Sequence, residues 1–322
     1  MKDQQTVVVT GGSGYIGRPT CELLVAAGYN VINIDRGKSD IPGVTLYPFD
    51  LGSSQVRGVL EIAKPDAIIH FAASHFIPDS LKDPGSFYEN NVSNTISLLR
   101  MAHEIGIKHF IFSSSSSVYG DHDDSPTPED YPHNPVSPYS KSKDMAEQIV
   151  DDFVELHDMN IVSLRYFNVS GALPDNSWGP SAPFLIRRWC EQANNEDYPF
   201  KIFGDSYPTR DGTAVRDFTH LSDVAKAHIM VLNYMHDGGK SDAFNIGRGA
   251  AVSLKELHQV FEEVLDTTIP LEIIPAVRTG DVAVTYADNS KAKEVLGWEP
   301  TYTIHDIVKH SLAWEKKAKK KK

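Results

Sequence analysis

The chain has 322 residues, 41% hydrophobic and 23% charged, an ordinary globular composition with room for one large α/β domain or two lobes. Its net charge of −12 argues against a general nucleic-acid partner. No apolar run reaches the roughly 18 residues of a membrane span, no signal-type stretch precedes the first strand pattern, and Cys21 and Cys190 offer neither a disulfide framework nor a Cys-rich zinc site, so a cytoplasmic protein without a membrane partner is expected.

In chain order, β-branched runs predict strands over 6–10, 30–34, 45–47, 67–71, 109–112 and 161–166. Helical patterns fall between them at 15–27, 54–63, 87–105 and 139–157. Alternation of this kind, with near-continuous apolar strands, predicts a Rossmann-like doubly wound parallel sheet covered on both faces. After Asn168 the pattern gives way to a Pro-, Gly- and Trp-rich stretch over 171–183, a helix near 184–194 and a loop over 204–212. The expected organisation is therefore a dinucleotide-binding domain over 1–170, a segment at about 212–247 returning to it, and a smaller α/β substrate-binding lobe over 171–322.

Helices 87–105 and 139–157 carry more apolar surface than one packing stripe needs, with Val92, Ile96, Leu99 and Ala102 on the first and Met145, Ile149 and Phe153 on the second. Either a homodimer forms through them or both are sunk in the core. Residues 316–322 hold six lysines, and removing those charges leaves −18 on the rest. A disordered, solubilising end is expected there, with RNA or anionic lipid contact as the alternative.

The loop from Thr10 to Gly17 joins the first strand to the first helix with glycines at 11, 14 and 17. Glycines so placed allow a tight turn and a close backbone approach to a diphosphate, which the helix N-terminus then meets with free N–H groups. Asp35, ending the second strand, suits the adenosine ribose and points to NAD over NADP, against the neighbouring Arg36. Asp50, after the third strand, is placed to accept from the adenine amino group or to cap the next helix. Serines 113–117 follow an apolar strand, where one hydroxyl can relay a proton; no Gly-x-Ser-x-Gly elbow surrounds them. Tyr139 and Lys143 stand four apart on one helix face, and an ammonium beside a phenol favours the phenolate, a general base near neutral pH. The histidines include no His-Glu-x-x-His, and the acidic patch 121–124 lacks the spacing of a calcium loop, so no metal is expected.

These motifs occur together and in order with His70-Phe71-Ala72-Ala73, Asn90-Asn91-Val92, Arg165-Tyr166-Phe167-Asn168, Phe203-Gly204 and Arg278-Thr-Gly-Asp281. Nearly end to end, the chain resembles the extended short-chain dehydrogenase/reductase family. The resemblance implies an NAD-dependent isomerase of the cytoplasm that inverts C4 of a UDP-hexose through a transient 4-keto sugar. It makes Tyr139 the catalytic base, Lys143 its activator and a ribose ligand, and Ser115 the proton-relaying hydroxyl. NAD would lie against Gly11, Gly14, Tyr15, Ile16 and Gly17, then Asp35, Asp50 and Leu51. Phe71, Ala72, Ala73, Asn90, Ser113 and Tyr166 would complete that site, with Tyr139 and Lys143. The nucleotide sugar would meet Ser115, Tyr139, Asn168, Phe203, Arg216, Arg278 and Asp281.

Three positions depart from the family pattern. His75 stands where several relatives carry a Lys, Pro180-Ser-Ala182 replaces an Asn-Leu or similar pair, and Thr285 stands where a large Tyr would restrict the pocket to unsubstituted hexoses. Thr285 implies a pocket that also admits N-acetylated sugars. The alternatives are a nucleotide-sugar 4,6-dehydratase, which needs an acidic pair where Ser116-Ser117-Val118-Tyr119 stands, and a non-catalytic NAD-binding protein, which needs no proton machinery.

Overall fold

The computed structural model describes residues 4–37, 40–121, 126–193, 199–277 and 281–319. Arg278, positions 122–124 of the acidic patch, the last residue of the expected helix 184–194 and the final three lysines lie outside the described residues.

Strand β1 (Thr6–Thr10) leads into α1 (Gly17–Ala26), β2 (Asn30–Ile34), β3 (Val44–Tyr47), α2 (Gln55–Ala63) and β4 (Ala67–His70). Two short helices follow, α3 (Ile77–Lys82) and α4 (Pro84–Tyr88), then a π turn over Glu89–Ser93 that runs into α5 (Asn94–Ile105). The single helix expected over 87–105 is thus interrupted. Helices of six and five residues are too short to show a periodicity, which is why α3 and α4 escape the sequence reading. Strand β5 (His109–Ser115) carries the serines into the sheet, and a 3₁₀ turn over Ser116–Val118 ends it. A capping box between Ser137 and Ser140 then opens α6 (Pro138–His157), with proline in the first turn, where its missing N–H has no helical partner to lose. Strand β6 (Asn160–Tyr166) comes next.

The remaining chain forms β7 (Asn168–Ser170), α7 (Leu185–Ala193), β8 (Phe200–Phe203), β9 (Val215–Arg216), β10 (Phe218–His220), α8 (Leu221–His236) and β11 (Asp242–Ile246). It closes with β12 (Val252–Ser253), α9 (Leu254–Leu265), β13 (Leu271–Ile274), β14 (Val284–Thr285), α10 (Ser290–Leu296) and α11 (Ile304–Lys319). The Lys-rich end is therefore helical as far as Lys319, against the expected disorder. Glu315 is buried there against Arg187, and Lys317 donates to the Asn176 carbonyl at 2.8 Å.

The main sheet has seven strands in the order β11-β6-β5-β4-β1-β2-β3, and the five from β5 to β3 run parallel. From β1 the chain winds out through β2 and β3, then returns past β1 to β4. Strand order reverses between β1 and β4, whose ends pair Thr10 with His70. Ligands of doubly wound sheets bind in the crevice at such a reversal.

The chain divides into two compact units, one made of Met1–Gly120, Pro132–Arg165 and Ala225–Phe244, the other of Asp121–Tyr131, Tyr166–Val224 and Asn245–Lys322. In the first, Val8, Ile34, Ile68, Phe110 and Phe112 of the sheet pack with Leu60, Leu98, Leu99 and Val150 of the helices. In the second, Trp189 stacks on Phe200 at 4.7 Å and meets Phe261 edge-on, among Ile202, Leu257 and Val308. Three small sheets belong to this unit: β7 with β10, β8 with β13, and β9 between β12 and β14. Of the apolar surface expected to be spare on the helices, Ile149, Phe153 and Val154 pack on the first core, whereas Met145 (43%) and Leu156 (69%) stay exposed. Among the described residues no helix is long and apolar enough to cross a membrane.

Candidate active site

The glycine loop sits at the strand reversal. Gly11 has φ +74° and donates to the Ile34 carbonyl; a Cβ on it would lie 2.6 Å from the Ala72 nitrogen. At Gly17 a Cβ would lie 2.2 Å from the Gly11 oxygen, so the helix start touches the turn and tolerates no side chain. No side-chain cap covers the N-terminus of α1, where Ile16 is the cap residue. Half-buried Tyr15 has its phenol pushed well up by desolvation. Gly12, to which the sequence assigned no role, is held against buried Asn33, whose Oδ1 accepts from its N–H at 2.9 Å.

Asp35 closes this loop from the end of β2, accepting from Ser13 N–H at 2.9 Å and Gly37 N–H at 2.7 Å. Asp50 accepts from Gly52 N–H and lies 3.5 Å from the Arg36 guanidinium, both exposed, so it neither caps α2 nor leaves Arg36 unpaired; buried Leu51 follows it. Beyond β4, the N–H groups of Phe71 and Ala72 donate to the Thr10 carbonyl, Ala73 follows, and the Phe71 ring lies 4.6 Å from that of His228. Asn90 donates to the Ser74 hydroxyl at 3.1 Å from within the π turn. Its neighbour Asn91 is buried, accepts from Ser74 N–H at 2.7 Å and donates to both the Ser74 carbonyl and the Ser142 hydroxyl. The motif Asn90-Asn91-Val92 alone assigns Asn91 no role; its signal in the sequence is a polar side chain on the apolar stripe of the expected helix.

The structure brings Ser113, Ser115, Tyr139 and Lys143 together within the first unit. Lys143 Nζ donates to the Ser113 carbonyl at 2.7 Å and lies 5.0 Å from the centre of the Phe112 ring. The Ser115 hydroxyl is hydrogen-bonded to Tyr139 and accepts from Ser117 N–H at 3.2 Å. Burial pushes the Tyr139 phenol above its ordinary value, and the bond from Ser115 pulls it back only in part. That direction is opposite to the expectation that Lys143 lowers it. Burial also brings Lys143 down to about 8, with Glu147 opposing; desolvation acts on both groups and outweighs their partners. His70 bridges the hydroxyls of Thr10 (2.7 Å) and Thr95 (3.0 Å), and burial, then the Lys143 charge, brings it to about 3. His75 is likewise lowered, chiefly by burial.

The second unit holds the residues expected around the nucleotide sugar. Arg216 and Thr285 lie on β9 and β14, directly paired in register. Arg216 donates to the Val215 carbonyl at 2.9 Å, its Nη2 lies 3.9 Å from Asp281, and burial lowers its pKa despite that carboxylate. The Thr285 hydroxyl is buried without a hydrogen-bond partner. Asn168 opens β7 with an exposed side chain, Phe203 ends β8, and Tyr166 is buried at the end of β6. Asp217, beside Arg216 and unassigned in the sequence reading, accepts from the N–H groups of Arg248, Gly249 and Ala287. Among the described residues no group of three or more His, Cys, Asp or Glu is placed to hold a metal ion.

The chain is 38% identical over 324 residues to a UDP-glucose 4-epimerase of Rhizobium leguminosarum bv. trifolii, covering 98% of each chain. It is similar to the crystal structure of the Stenotrophomonas maltophila UDP-glucose-4-epimerase with bound NAD and formylated UDP-arabinopyranose, at TM-score 0.92 and 33% identity over 99% of this chain and 100% of that one. The Bifidobacterium longum UDP-glucose 4-epimerase in complex with NAD+ and UDP aligns at TM-score 0.89 and 34% identity, over 97% of this chain and 98% of that one. A family model matches residues 7–247, and with these relatives it places the chain in the NAD dependent epimerase/dehydratase family.

Proposed function

We propose that this chain is an NAD-dependent isomerase that interconverts UDP-hexoses at C4 through a transient 4-keto sugar. The observation that carries this reading is the cluster of Ser115, Tyr139 and Lys143 in the same unit as the uncapped glycine loop. The loop fits a diphosphate: Gly11 and Gly17 have no room for side chains, and the first N–H groups of α1 face no side-chain cap. Asp35 takes the adenosine ribose, with Asp50, Leu51, Phe71, Ala72, Ala73, Asn90 and Tyr166 around the rest of the cofactor. Bound NAD⁺ supplies the hydride acceptor and a positive charge that favours the Tyr139 phenolate. Tyr139 takes the proton from the sugar 4-hydroxyl and later returns it, Ser115 relays that proton, and Lys143 holds the ribose and balances the phenolate. In the second unit Arg216 and Arg278 grip the diphosphate and Asp281 the ribose of the sugar nucleotide. Asn168 and Phe203 contact the diphosphate and base, and Thr285 leaves room for an N-acetyl group. Serines at 116 and 117, in place of an acidic pair, favour epimerisation over dehydration.

The enzyme acts in the cytoplasm, which its two free, buried cysteines suit. It pairs as a homodimer through α5 and α6, where Met145 and Leu156 are exposed. Incubation with UDP-glucose, UDP-galactose and their N-acetyl analogues, followed by product separation, is the test. Interconversion in both pairs is expected; no C4 inversion in either would overturn the reading, and a stable 4-keto product would favour a dehydratase. Tyr139→Phe should lose at least about a hundredfold in turnover while retaining cofactor.

A further inference from the structure

Glu147 lies one helical turn beyond Lys143 and two beyond Tyr139, so all three share the buried face of α6. Three consecutive serines of β5 each meet one of these turns. Ser115 bonds Tyr139, the Ser113 carbonyl accepts from Lys143, and the Ser114 hydroxyl donates to Glu147 Oε1. From β6, Arg165 holds the same carboxylate in a fork: Nε reaches both oxygens at 3.1 Å and Nη2 reaches Oε2 at 2.6 Å, with the two side chains 8% and 5% exposed. Arg165 Nη1 donates to the Tyr119 hydroxyl at 2.8 Å, and the Tyr119 ring meets His133, which lies 2.6 Å from Asp144.

A buried ion pair is no more stabilising than apolar residues of the same shape, so stability alone does not account for this arrangement. Its position does more. The carboxylate fixes where the serine strand meets α6, and it favours the Lys143 ammonium against burial. The titratable and charged groups around it are Lys143, Asp144 and Asp151 on α6, Tyr119 and His133 from the segments flanking Gly120, and Arg165 on β6. Asp151 is itself pushed up from the ordinary carboxylate range by burial and then by Glu147.

We propose that Glu147, fixed by Arg165, is a positioning residue for the Ser115, Tyr139 and Lys143 site: it clamps the serine strand to α6 and supplies the negative charge that balances Lys143. The assignment rests on the roles given above to Tyr139 and Lys143.

The experiment titrates Lys143 by NMR of nitrogen-labelled lysine side chains, assigned with Lys143→Arg, in parallel with kcat against pH in the wild type, Glu147→Gln and Ser114→Ala. In Glu147→Gln the Lys143 midpoint should move down by about half a pH unit or more, and the alkaline fall in kcat should move with it. An unmoved midpoint in the folded variant overturns the charge role. Should Glu147→Gln fail to fold, the double variant Glu147→Gln/Arg165→Met removes the opposite charges of the pair together; loss of the Arg165 cation makes the downward shift of Lys143 smaller, and a midpoint that does not fall at all is equally fatal. Ser114→Ala keeps both charges; it should lower kcat at least about fivefold with KM and the Lys143 midpoint unchanged, and an unchanged kcat overturns the clamp. If the wild type itself epimerises nothing, the functional reading fails while the Lys143 titration still decides the charge role.

Discussion

Lys143 is a cation held where a cation is costly, and the consequences for activity and for stability run in opposite directions. Its folded value of about 8 lies below its ordinary 10.5. Between those two, the unfolded chain binds the proton that the folded one has lost, so folding stability gains as pH rises through that window. The role proposed for Lys143 requires the ammonium, so activity should fall over the same range. Turnover of the wild type is therefore expected to decline above about pH 8. Over pH 8 to 10 its denaturation midpoint should rise relative to Lys143→Met, a comparison that cancels the other titrating groups; parallel slopes for the two proteins would contradict this. Gly17 gives a second expectation at this scale. An alanine there would place its Cβ 2.2 Å from the Gly11 oxygen. The variant should lose about 2 kcal/mol or more of stability by denaturant melting, and its cofactor with it.

Among the elements, His70 pins three together, joining the end of β1 through Thr10 to β4 and to α5 through Thr95. Its native value of about 3 means it stays neutral where an unfolded histidine, near 6.5, takes a proton. The stability it contributes is full above 6.5 and is lost progressively as pH falls toward 3. Denaturant midpoints should fall in that window, less steeply in His70→Gln, which keeps hydrogen-bonding capacity without the titration; equal slopes would refute the assignment. The π turn at Glu89–Ser93 is the other element with a job, since it carries Asn90 and Asn91 to Ser74. The strands around the glycine loop were legible because apolar runs and glycines act locally. The Tyr139 and Lys143 pair was legible because helical spacing alone puts them on one face. The π turn was not, since its signal is one polar residue out of phase, and neither were the two-residue strands β9, β12 and β14, which exist through partners such as Val215 and Ser253 far apart in sequence. The direction of the Tyr139 shift was hidden for the same reason, because desolvation depends on what the whole fold packs around the ring.

At the scale of the molecule, neither unit is one continuous piece of chain, and the nucleotide-binding sheet is finished by β11 from far downstream. Until β11 pairs with it, β6 is an edge strand whose Ile161, Val162 and Leu164 are all interior residues of the complete protein. An open apolar edge of that kind invites pairing with other chains. Viewed on the clock of the ribosome, which makes about 5–20 residues per second, the first half of this protein spends several seconds with its sheet one strand short.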